Sequence, residues 1–171
     1  MLNGQGNFAH GRENIGEGRD NYLIGDRNIG IGRGNSLIGI NNYGRGIGNT
    51  ISGTGNRGVG TSNRIIGCAN DVEGVSNNVQ GTGNVVSNGG FNDLSGSGNV
   101  VGGSGNMIGG AGNVVGGGGN MIGGAGNVVG GSGNVIGVGQ GVAGNPVRNY
   151  GGFYEEPVRR ISNSYWWSYE I

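Results

Sequence analysis

The chain has 171 residues, 47 of them glycine and only 33% apolar, a composition that argues against an ordinary globular core. Ten arginines balance ten acidic residues and there is no lysine, so the net charge is zero and nothing suggests a surface that tracks phosphates. Cys68 stands alone, which excludes a disulfide framework or a cysteine metal cluster, and two prolines without glycine at every third place exclude collagen.

Met1 to Gly6 is a short lead-in that does not begin a signal peptide. From Asn7 an asparagine recurs every seven residues to Asn84. One extra residue falls within 85–91, and the period resumes at Asn92 and runs to Asn134, 19 units in all. Glycine follows the asparagine by four in 17 of the 19, Asn88 and Val138 being the exceptions. The unit is x-x-N-x-V-x-G, tightest from Ser97 to Gly137. Such strict phase is unlike a disordered glycine-serine tract.

A second period of 14 lies over the first. The residue two past the asparagine alternates between a larger set and a smaller one. The larger set is Ala9, Leu23, Leu37, Ile51, Ile65, Val79, Leu94, Ile108, Ile122 and Ile136. The smaller is Gly16, Gly30, Gly44, Gly58, Val72, Val86, Val101, Val115 and Val129. Side chains alternate faces along a strand, so each asparagine and the residue two later share the interior. The expected fold is all-β, a parallel β-solenoid (β-roll) of nine to ten 14-residue coils over residues 1–147. A buried asparagine must be hydrogen-bonded. Asn99, Asn113 and Asn127 are expected in one interior column and Asn106, Asn120 and Asn134 in the other. The in-phase glycine is expected to supply a positive-φ turn.

Outward positions, one and three past the asparagine, start diverse: Ile15, Glu17, Tyr22, Ile24, Ile29, Ile31, Tyr43 and Arg45. They turn to Thr and Ser with scattered charges between Thr50 and Thr82, and no charge lies between Asp93 and Arg148. Asn145-Pro146 marks a turn out of the solenoid. Residues 148–171 form a separate tail with seven of the eleven aromatics: Tyr150, Phe153, Tyr154, Tyr165, Trp166, Trp167 and Tyr169. The tail reads either as a cap over the last coil's open edge or as a docking or carbohydrate-stacking patch.

No enzyme constellation is present. His10 reads as a surface residue and Cys68 has no histidine near it in sequence. The G-x-G strings recur in phase without a following helix, so they are turns rather than phosphate loops. Asparagine in sevens is not the aspartate nonapeptide of calcium β-rolls. No catalytic or metal-binding residue, cofactor, nucleic-acid partner or membrane span is therefore expected.

The unit x-x-N-x-V-x-G resembles the repeat of grass ice-recrystallisation-inhibition (antifreeze) proteins, over about Asn7 to Gly137. The resemblance implies a β-roll with internal Val and Asn ladders, ice binding through one flat face bearing Thr, Ser and Val, and an extracellular, apoplastic location. The regular half of this chain departs from that pattern, carrying Val, Met and Gly outward with few hydroxyls. A weaker similarity is to the β-roll heads of trimeric autotransporter adhesins. Those favour Ala where this chain has Asn, and they need a membrane anchor. Two flat faces are candidate sites. One carries Val85, Val100, Val114 and Val128, and the other Met107, Met121 and Val135. The partner is then either an ice surface or another copy of the chain, in a fibre, matrix or adhesin-like scaffold.

Overall fold

A computed structural model describes residues 1–137. They form a parallel β-solenoid of two ten-stranded sheets, and the described residues include no helix. Strands alternate between the sheets, so each coil contributes one to each. The first sheet runs from Leu2–Gln5 through Ile15–Arg19 to Val128–Val129, the second from Phe8–His10 through Tyr22–Asp26 to Val135–Ile136. Registers advance by 14 residues per coil, as in Ile65↔Val79 and Gly44↔Gly58.

The inside/outside phase follows the size alternation. The larger set faces inward from the second sheet and the smaller set from the first. Leu23, Leu37, Ile51, Ile65 and Leu94 are fully buried, and Ile108, Val115, Ile122 and Val129 nearly so. Ile108 pairs with Ile122 one coil on. In the early coils the aliphatics of the second sheet reach across to bare backbone. A methyl group added at Gly58 would stand 2.8 Å from the Cδ1 atoms of both Ile51 and Ile65. Valine replaces glycine on that side from Val72 onward.

The asparagines make the ladder that holds the coils together. Asn63 shows the pattern. Its Nδ2 donates to Asn49 Oδ1 (3.1 Å), to the Val59 carbonyl (3.2 Å) and to the Gly74 carbonyl (2.9 Å). Its Oδ1 accepts from the Asn77 backbone N–H (3.1 Å) and from Asn77 Nδ2 (3.0 Å). Stacking on the neighbouring amide and bonding to turn backbone therefore occur together. Asn113 and Asn127 follow Asn99 in one column, and Asn120 and Asn134 follow Asn106 in the other. No buried side-chain N or O among the described residues lacks a partner.

Each half-coil has two positive-φ positions rather than one. The in-phase glycine has φ between 85° and 139° and lies in line with the glycine of the next coil. A Cβ on Gly60 would overlap the Gly74 carbonyl oxygen, so only glycine fits there. The residue just before each asparagine is left-handed as well. It is glycine in the regular half, but Glu13, Asp20, Arg27 and Phe91 fill it elsewhere at φ 55–58°. The extra residue after Val85 is absorbed as a bulge opposite Glu73. Asn88 is pushed outward at φ 49°, and Gly89 takes the column place and accepts from Asn77 Nδ2. The ladder crosses the bulge intact, through Asn77 to Asn92 and Asn84 to Asn99.

From Val114–Val115 onward the strands shorten from five residues to two. Paired glycines follow them, as at Gly116-Gly117 and Gly123-Gly124, and glycine in a strand interior weakens pairing.

Candidate functional site

Strand register sets the outward rows. On the first sheet Val85, Val100, Val114 and Val128 stand in one continuous row. Val85 is half-buried, while Val100, Val114 and Val128 are 43%, 46% and 46% exposed. Gly102, Gly116 and Gly130 lie beside the last three, so the short valine side chains rise over bare backbone. The row is bounded by charge at its N-terminal end. Asp71 pairs in register with Val85, and Arg57 Nη1 binds Asp71 Oδ1 at 2.6 Å with Glu73 3.8 Å from Nη2. That hydrogen bond to Asp71 raises the Arg57 pKa above its ordinary value, with partial burial opposing it. Opposite charges one coil apart here pair along the axis. At Arg12 and Asp26 the contact is a backbone one, in which the Arg12 N–H donates to Asp26 Oδ1 (3.0 Å).

On the second sheet Met107, Met121 and Val135 line up in register and are 54%, 51% and 76% exposed. A groove of about 380 Å³ runs beside the row, with Gly109 and Gly123 along it, Asp93 and Ser95 at one end and Gly137 at the other. The cause is the contrast between long methionine side chains and neighbouring positions with none.

The register also reveals rows that the one-and-three-past count leaves out. Ile40, Thr54, Cys68, Thr82, Ser97 and Ala111 pair coil to coil along one edge of the second sheet, and all are exposed. They lie five past the asparagine, beyond the in-phase glycine, where the strands continue. The run is uncharged over six coils and includes three hydroxyls. Cys68 is therefore an exposed member of a small-residue row.

His10 is exposed on the outward face of the second sheet, one residue column from the stacked rings of Phe8 and Tyr22 (5.1 Å between centroids, 14° between planes). Among the described residues no three His, Cys, Asp or Glu side chains gather as a metal site. No helix among them is long and apolar enough to cross a membrane. The aromatic tail, 148–171, and the Asn145-Pro146 turn lie outside the described residues. No protein-family model matches the chain, nor does any curated protein.

Proposed function

We propose that the solenoid binds ice and slows its recrystallisation through the Val85–Val100–Val114–Val128 row. The observation that carries this reading is the in-register valine row on consecutive coils, uncharged throughout and, at Val100, Val114 and Val128, exposed and flanked by glycine. Ice presents a fixed lattice, so a binding surface has to be periodic and rigid. Parallel strands supply a repeat of about 4.8 Å. The saturated asparagine ladder holds that repeat without leaving side chains to be ordered on binding, a cost that weakens flexible surfaces. Methyl groups leave adjacent water free to join the lattice, whereas a charge holds its own hydration shell. The resemblance of x-x-N-x-V-x-G to the grass antifreeze repeat points the same way. No catalytic step, cofactor or metal enters this function.

The test is Val114→Arg. The position is half-exposed, so stability is expected to move by no more than about 0.5 kcal/mol. Ice-grain growth should be restrained by the wild-type protein at micromolar concentration and no longer by the variant. A wild-type protein with no effect on grain growth refutes the reading. The competing reading, self-association through the same apolar row, predicts that inactive wild type together with a fall in oligomer size in the variant by sedimentation.

A further inference from the structure

We infer that the outer face of the second sheet is the interface of a two-fold dimer, in which a second copy of the chain lies on it face to face with its solenoid axis reversed. The symmetry axis runs along the strand Asn78–Thr82, so Asn78 meets Asn78 of the second copy. The valine row lies on the other sheet and stays free, so the inference does not depend on the ice reading.

Charge fixes this register. From Ser36–Ile40 to Val135–Ile136 the outward residues of the second sheet's strands include two charges, Arg64 and Asp93. They stand one coil before and one coil after Asn78. Arg64 Nη1 donates to Asn78 Oδ1 (3.2 Å) and Asn78 Nδ2 donates to Asp93 Oδ1 (2.9 Å), which holds both charges in line on the face. Both are exposed, and among the described residues neither has an ion-pair partner. The two-fold sets each coil before Asn78 against the coil equally far after it in the second copy. Arg64 of each copy then meets Asp93 of the other, and all four charges are paired. A displacement by one coil would set Arg64 against Asn78 or Met107 and leave Asp93 without a cation.

Size agrees with that register. Sheets pack face to face about 10 Å apart, a spacing that two long facing side chains overfill. The symmetry sets Met121 against Ser36 and Met107 against Thr50. One row over, it sets Ile38 against Gly123 and Ser52 against Gly109. Ile38, 44% exposed, thus enters the groove beside the methionines, while the methionines lie over short hydroxyl side chains. The face runs eight coil steps from Tyr22 to Val135, about 38 Å, and its five-residue strands are about 17 Å long. Over both copies that is up to about 1,300 Å², within the roughly 1,200–2,000 Å² of stable interfaces.

Charge exchange tests this in the full-length protein. Sedimentation of the wild type should give twice the chain mass of 17.1 kDa at micromolar concentration. Arg64→Asp sets carboxylate against carboxylate across the interface, and Asp93→Arg sets guanidinium against guanidinium. Each variant alone should dimerise about 100-fold more weakly. Mixed in equal amounts, the two should form a heterodimer within about ten-fold of wild-type affinity, because every charge then meets its opposite. Both positions are exposed, so circular dichroism of each variant should match the wild type. Ile38→Asp should also give monomers, and Val114→Arg, on the other sheet, should leave dimers. A wild type that stays monomeric to about 100 μM overturns the inference. So do single variants that dimerise as tightly as the wild type, and a mixture that stays monomeric. Dissociation by Val114→Arg with none by Arg64→Asp overturns it as well and puts the contact on the valine row. These readouts are of mass alone, and a wild type without effect on ice leaves them unchanged.

Discussion

Removing one asparagine from the middle of the ladder separates hydrogen bonding from packing. Asn63 is 1% exposed and lies mid-stack. Asn63→Ala deletes three donations from Nδ2 and two acceptances at Oδ1. It strands the Asn77 backbone N–H and the Gly74 carbonyl inside the solenoid. Each stranded group costs about 1–3 kcal/mol, so the loss is about 2–6 kcal/mol. That is a large share of a domain's usual 5–15 kcal/mol or so. A stack in which each coil touches only its neighbours should then melt as two partly independent arrays. Denaturant unfolding gives the total, and amide exchange at Asn77 reports the local break.

Asn63→Asp sharpens the test. The shape is kept and Oδ1 still accepts from Asn77, but the second oxygen now faces the carbonyls of Val59 and Gly74. Burial and those carbonyls raise the folded-state carboxyl pKa above the unfolded value of about 3.9. The folded state then holds a proton that the unfolded state has released. Stability should therefore fall as the pH rises above about 4 and be partly restored in acid. Were Asn63→Ala to cost under about 1 kcal/mol with Asn77 exchange unchanged, the ladder would not be what holds the coils together.

Three further outcomes are expected. Ile122→Ala should destabilise by about 2–4 kcal/mol through lost burial and a cavity beside Ile108, as measured by denaturant unfolding; a wild-type midpoint would mean the interior phase is misassigned. Gly58→Val should also destabilise, by about 1–3 kcal/mol, because the Cδ1 atoms of Ile51 and Ile65 occupy the space the new side chain needs; unchanged or higher stability would show that the early coils have room to spare. Wild-type stability should be nearly flat from about pH 5 to pH 9, because the buried polar side chains among the described residues are all asparagine. Arg57 does not disturb that expectation. A raised folded pKa contributes stability that is fully present below the unfolded arginine pKa, and so is lost only in strong alkali.

The interior was legible because it repeats under one constraint. Asn in sevens and the larger and smaller sets in fourteens fix which side of each strand is buried. Ile108, Ile122 and both asparagine columns followed from that. The edges were less legible. The in-phase glycine reads as the place where a strand stops, yet at φ 85–139° it kinks the chain while pairing continues. The row from Ile40 to Ala111 lies beyond that kink and was missed. The left-handed position before each asparagine was hidden too, because Glu13, Arg27 and Phe91 give no local sign of it. The groove depends on how far two methionines rise over glycine, which an alternation count does not measure.

Interior and exterior vary independently in this chain. The ladder hydrogen bonds at Asn35, among charged and aromatic outward neighbours, match those at Asn113, where the outside is Val and Gly. Outward rows can therefore change without altering the coil, and function is to be sought in those rows. The valine row and the methionine groove lie on opposite sheets, separated by the buried aliphatics and about 10 Å of core. Substitutions on the two faces should act additively, since they share no partner. This separation makes the assignment of faces decidable. If Met121→Glu abolished ice activity while Val114→Arg left it intact, the active face would be the second sheet.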